Sequence, residues 1–127
     1  YGTEFSAGAD LVNAGESQVI ESGATVVVHT GIAMEIPVGY VGLVYARSGM
    51  ATKRGLAPAN KVGVIDSDYR GEIMVALHNH GKEAQTVEHG ERVAQIVITP
   101  YVVADFVEGD LDSTERGNGG FGSTGRK

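Results

Sequence analysis

Apolar and polar positions alternate in short runs along most of this chain. The clearest runs are Ser17 to Ile20, Thr25 to Thr30, Ile32 to Ile36, Val41 to Ala46, Lys61 to Ile65, Glu72 to Leu77, Val93 to Thr99 and Tyr101 to Val107. They are rich in Val and Ile and separated by Gly, Pro, Asn or Asp, the pattern of half-buried strands joined by turns. Short strands at this spacing predict a sandwich or barrel rather than βαβ units, so the expected class is all-β, close to a jelly roll. Gly49 to Arg54 is the one expected helical turn, with Ser48 as its N-cap and Gly55 as its stop.

The pattern changes near the C-terminus. Residues 1–109 read as one β domain, and residues 110–127 as an arm in which Gly117, Gly119, Gly120, Gly122 and Gly125 recur and only Leu111 and Phe121 are large and apolar. Such a segment buries too little surface to order itself, so it is expected to be mobile in the free protein.

Composition narrows the classes. With 127 residues the chain fits a single core. A net charge of -6 argues against non-specific binding to nucleic acid or an anionic membrane, although local Arg residues and amides can still hold a small anion. There is no Cys for a disulfide or thiolate metal site, and no apolar run approaches a membrane span or signal segment. A cytoplasmic or otherwise intracellular protein is expected; the sequence starts at Tyr1 rather than Met.

Four segments could carry chemistry. Between Gly63 and Ile73, two acids (Asp66, Asp68), a ring (Tyr69) and a base (Arg70) interrupt apolar runs, which suggests a β-hairpin forming a pocket wall, since a plain turn needs only Asp, Ser and Gly. Arg47, Ser48 and Gly49 combine a guanidinium fork, a hydroxyl and exposed amides after an apolar strand, a natural phosphate cradle or else a strand end and cap. In the arm, Arg116, Gly120, Phe121, Gly122, Ser123 and Thr124 offer amides, hydroxyls and a stacking ring, though a linker has the same composition and no Walker A close is present. Asp10 opens one apolar stretch, and Gln95 with Arg92 interrupts another; periodicity leaves their direction undecided. His78 and His80 would share a strand face, but no third metal ligand has a suggestive spacing, and surface histidines are the expectation.

Taken in order from Ala7 to Gly125, these segments resemble the five motifs of the trimeric dUTPase family (dUTP diphosphatases). The resemblance implies a distorted jelly-roll subunit, a homotrimer with three shared active sites, and closure of each site by the arm of another subunit. It implies hydrolysis of dUTP to dUMP and pyrophosphate by water attack on the α-phosphorus, which keeps uracil out of DNA and supplies dUMP. By the same resemblance Asp66 is the residue that orients and deprotonates the water, while Tyr69 packs under the deoxyribose and excludes a 2′-hydroxyl. Asn60 and the backbone of Gly63, Val64 and Ile65 face the uracil edge. Arg47, Ser48, Gly49 and Gln95 are matched to phosphate contacts, as are Arg116, Ser123 and Thr124 to the γ-phosphate, with Phe121 stacking on uracil among Gly120 and Gly122. Asp10 is matched to the water shell of Mg²⁺, the implied cofactor. Asp68 is left as a turn former or a partner for Arg70. Ala46 stands where many family members have Pro. The competing readings are a dCTP deaminase of the same fold, which would show Arg-Ser-Ser instead of Arg-Ser-Gly, and a nucleotide-dependent regulatory binding protein.

Overall fold

The computed structural model describes residues 1–125; Arg126 and Lys127, the end of the expected arm, lie outside the described residues. Among the described residues, nine strands and one short helix follow in the order β1 (Ala9–Val12), β2 (Gln18–Ile20), β3 (Thr25–His29), β4 (Tyr40–Tyr45), α1 (Ser48–Lys53), β5 (Leu56–Pro58), β6 (Gly63–Ile65), β7 (Met74–Asn79), β8 (Gln85–Val87) and β9 (Arg92–Pro100). All pairing is antiparallel, in sheets β1-β9-β4-β6, β3-β7-β5 and β2-β8. The all-β, jelly-roll expectation therefore holds.

Period-two alternation builds the core. Along β7, Val75, Leu77 and Asn79 point inward between more exposed neighbours, and along β4 Gly42 and Val44 do the same. Val44, Val75 and Leu77 meet Leu11, Ile20, Val28, Leu56, Ile73, Val87, Val93 and Ile96 in one buried cluster. Burial of each such aliphatic side chain is worth about 1.5–3 kcal/mol, so the cluster is the main source of rigidity under the site. Gly42 is required here, because a Cβ would lie 2.9 Å from Ile36 Cδ1 and 3.0 Å from Ile96 Cδ1. Two buried polar residues are fully employed. The Asn13 amide nitrogen donates to the Glu16 and Glu88 carbonyls, and that of Asn79 donates to the Ile20 and Glu83 carbonyls.

Some expected elements are corrected. Ile32 to Ile36 is not a strand: Ile36 is buried under Gly42, and the segment is held by single bonds such as the Ile73 amide to the Ile32 carbonyl rather than by a ladder. Tyr101 to Val107 is not a strand either. Strand propensity is present, but no partner strand is, and Val102 and Phe106 are 91% and 94% exposed. Ser48 is not the N-cap: Arg47 holds that position with φ -89° and ψ 137°, and Ser48 is the first helical residue, its carbonyl accepting from Thr52 Oγ1. Gly55 ends the turn as expected, at φ +68°. The segment Gly63 to Ile73 is not a paired hairpin. Its first flank, β6, pairs with β4 while β7 pairs with β3 and β5, so the intervening loop crosses from one sheet to the other.

Candidate active site

Two clefts hold the residues singled out in the sequence. The first, of about 530 Å³, is lined by Gly8, Asp10, Tyr45, Arg47, Ser48, Gly49, Arg92 and Gln95, among others. Strand register explains this gathering. Asp10 of β1 lies opposite Gln95 of β9, and Gln95 lies opposite Tyr45 of β4, so the three form one row across the sheet. A β-bulge supplies the fourth member. The β1–β9 register slips between Leu11 and Val12, which face Ala94 and Arg92, leaving Val93 unopposed. Val93 and Ala94 are consequently both buried, and Arg92, which strict alternation would put on the face opposite Gln95, turns to join it.

Electrostatics tie the group together. Asp10 is held from both sides: Arg47 Nε donates to Oδ1 at 3.0 Å, and Arg92 Nη1 lies 3.5 Å from Oδ2. The Gln95 Nε2 group donates to the Ala46 carbonyl at 2.9 Å, leaving its second N–H for a ligand. Its Oε1 occupies space that only glycine leaves open, since a Cβ on Gly8 would stand 2.3 Å from it. The first amide bond of α1 is that of Ala51 to the Arg47 carbonyl, so the preceding amides of Ser48, Gly49 and Met50 have no intrahelical acceptor.

The second cleft, of about 550 Å³, is lined by Tyr40, Val41, Leu43, Val64, Asp66, Ser67, Asp68 and Tyr101. The Asp66 main-chain carbonyl accepts from the Tyr69 amide in the turn that ends β6, and its carboxylate is exposed with no hydrogen bond or ion pair among the described residues. Tyr69 follows on the same loop, its hydroxyl donating to the Glu72 carbonyl at 2.8 Å. Arg70 does not pair with Asp68, as one expectation had it; it bonds the Ser67 carbonyl at 2.7 Å and lies 3.7 Å from Glu35. Asn60 sits in the turn before β6, its amide nitrogen beside Gly63, which is packed on Val44.

The two clefts share no lining residue. Arg47, Ser48, Gly49, Gln95 and Asp10 are thus brought together, but within one chain they are separate from Asp66 and its loop. The arm joins neither. Arg116 Nε donates to the Gly119 carbonyl, and the Ser123 amide to that of Gly120; Phe121, at φ +50°, is fully exposed. Among the described residues the hydrogen bonds of Thr114 to Gly125 are all local turns of this kind. Sequence reasoning missed Gly8, Tyr40, Tyr45 and Tyr101 as lining residues. The tyrosines had a signal in flanking β4 and β9; the role of Gly8 is visible only through the Gln95 side chain.

No group of three or more His, Asp or Glu placed to hold a metal occurs among the described residues. His78 Nδ1 is instead within 2.9 Å of Thr25 Oγ1. No described helix is long and apolar enough to cross a membrane.

An all-β chain with Arg47 and Arg92 around Asp10 in one cleft, Asp66 and Asp68 in another and a glycine-rich arm fits the class of small β proteins that handle nucleotides. The dUTPase family model matches residues 1–125, and the chain belongs to that family. The deoxyuridine 5'-triphosphate nucleotidohydrolase of Desulfitobacterium hafniense (strain DSM 10664 / DCB-2) is 52% identical, covering 98% of this chain and 85% of that protein. The same-named protein of Anaeromyxobacter sp. (strain Fw109-5) is 51% identical, covering 99% and 86%. Among solved structures, the Staphylococcus bacteriophage 80alpha dUTPase with dUPNHPP superposes with a TM-score of 0.87 at 32% identity, covering 99% of this chain and 90% of that one.

Proposed function

We propose that this chain hydrolyses dUTP to dUMP and pyrophosphate, with water attacking the α-phosphorus. The observation that carries the reading is the contrast between the acid of the first cleft and the acids of the second, of which Asp66 is the one in the family's motif position. Asp10 is neutralised by Arg47 and Arg92, whereas the carboxylate of Asp66 is free in its cleft to accept a proton from water. A carboxylate is a weak base, so alignment of the water and stabilisation of phosphate charge must supply most of the acceleration. Arg47, the amides of Ser48 and Gly49, and the Gln95 amide are the phosphate contacts. Asp10 is the counter-ion of Arg47 and Arg92, and a triphosphate entering the cleft takes its place on Arg47.

The donor set fits Mg²⁺ of a particular kind. One half-buried carboxylate is too little for a protein cage, but it suits an ion carried by triphosphate oxygens and touching Asp10 through water. When bound, the ion neutralises phosphate charge. A mutant phage phi11 dUTPase of S. aureus, 26% identical with a TM-score of 0.78, is described as coordinating a structural Mg(II) ion.

The active form is a homotrimer with shared sites. Three features support it: the phosphate residues and Asp66 occupy different clefts of one chain, the segment Val102 to Val107 is apolar and uncovered, and the arm carries Arg116, Phe121, Ser123 and Thr124 away from both clefts. Residues 110–125 of the arm are mobile until they close over bound nucleotide, with Phe121 on the uracil. Asn60 and the Gly63 to Ile65 backbone read the uracil edge, and Tyr69 excludes a 2′-hydroxyl. The test is pyrophosphate release from each dNTP in the presence of Mg²⁺: release from dUTP alone is expected, whereas equal release from all bases, or ammonia from dCTP, contradicts the proposal.

A further inference from the structure

The loop that carries Tyr69 is anchored to β3 through a side chain that touches neither cleft. Glu72 receives two hydrogen bonds on its carboxylate, from His29 Nδ1 to Oε1 and from the Gly31 amide to Oε2, each 2.9 Å long. With the carboxylate as acceptor, Nδ1 must carry the proton. The next residue is fixed to the same stretch, because the Ile73 amide donates to the Ile32 carbonyl at 2.8 Å and the Ile73 carbonyl accepts from Thr30 Oγ1 at 2.5 Å. The carbonyl of Glu72 in turn accepts the Tyr69 hydroxyl at 2.8 Å. The ring lies so close over Gly71 that a Cβ there would be 2.5 Å from its hydroxyl oxygen. A continuous chain of bonds therefore runs from the end of β3, through the Glu72 carboxylate and carbonyl, to the phenol and its ring. Tyr69 itself is 41% exposed, so packing alone does not hold it.

We propose that Glu72, clasped by His29 and the Gly31 amide, is a positioning residue for Tyr69 and thereby sets the discrimination between deoxyribose and ribose. The proposal rests on the reading of Tyr69 as the surface that excludes a 2′-hydroxyl. A ring that is free to tilt by a fraction of an ångström leaves room for that hydroxyl, whereas a ring locked at both its oxygen and its flank does not. Binding of the base is untouched, because it is assigned to Asn60 and the β6 backbone, which bond elsewhere.

The test compares kcat/KM for dUTP, UTP and dTTP in Glu72→Ala, His29→Ala, Tyr69→Phe and Tyr69→Ala, with thermal melts of each. Glu72→Ala should lower the dUTP-over-UTP ratio by about tenfold, an effect of the size expected from a small misplacement. The dUTP-over-dTTP ratio should stay as in the wild type. Tyr69→Phe cuts the same chain of bonds at the hydroxyl, so it should give a similar loss, and combining it with Glu72→Ala should add little. Should Glu72→Ala fail to fold, His29→Ala removes one bond of the clasp and carries the same prediction at smaller size. A purely structural role would depress all three substrates alike and leave both ratios fixed, which overturns the proposal. If Tyr69→Ala lowers the sugar ratio while Glu72→Ala does not, the positioning role alone is wrong; if Tyr69→Ala leaves it unchanged, the sugar-excluding role of Tyr69 falls first.

Discussion

Asp66 and Asp10 have the same side chain and opposite circumstances, and the difference is what assigns them different chemistry. Asp66 has no side-chain partner among the described residues, so its replacement removes the proposed base without disturbing packing. Asp66→Asn is expected to bind dUTP as the wild type does while losing about 10²- to 10⁴-fold in kcat, measured by single-turnover pyrophosphate release. Gly8 makes a different kind of prediction. Its missing Cβ is what admits the Gln95 amide, and the atom in the way is the far end of a flexible side chain, so Gly8→Ala should cost little stability. It should instead swing Gln95 off the Ala46 carbonyl and raise KM for dUTP, with the melting temperature within a few degrees of the wild type by calorimetry. Arg47, Ser48, Gly49, Asp10, Gln95 and Asp66 were legible in the sequence as types and order, whereas the lining residues Gly8, Tyr40, Tyr45 and Tyr101 were not. What was not legible was Arg92 beside Gln95, since their spacing of three puts them on opposite faces of a regular strand and only the bulge at Val93 reunites them.

At the scale of elements, the long alternating runs became β3, β4, β7 and β9 within a residue or two, because the core rewards alternation directly. The misses share a cause: β1, β5 and β8 are three or four residues long and are made strands by their partners β9, β7 and β2, while Tyr101 to Val107 has the propensity and lacks the partner. The flanks of the loop after β6 look alike in sequence and so suggest a hairpin; they serve different sheets, and this leaves Glu72 to be clasped by His29 of β3 and the Gly31 amide instead of by a ladder. The His29 Nδ1–H and then the Gly31 amide hold the Glu72 carboxyl below its ordinary value of 4.5. A lowered carboxyl stabilises the fold at pH above the unfolded value, and that contribution is lost as pH falls through the lowered folded value. Acid titration followed by amide exchange should therefore show the Gly31 amide losing protection below the ordinary Glu range, and Glu72→Gln should remove that pH dependence. The arm is a separate element: deleting residues 116–127 should reduce kcat/KM for dUTP without shifting the thermal melt of the β body, and an undiminished rate would return the arm to the status of a linker.

At the scale of the molecule, the cleft of Arg47 and Gln95 and the cleft of Asp66 do not meet within one chain, and no described arm residue lines either. The proposed trimer would resolve this, and light scattering should then give about three times the 13.3 kDa chain mass. The shared site itself is tested most directly by subunit mixing. Arg47→Ala and Asp66→Asn are each expected to be inactive alone, and co-refolding them in equal amounts should restore about a quarter of wild-type activity, the fraction of sites that draw an intact Arg47 and an intact Asp66 from different chains. Mixed trimers that form and remain inactive would show that each site is complete within one chain, and would contradict the account.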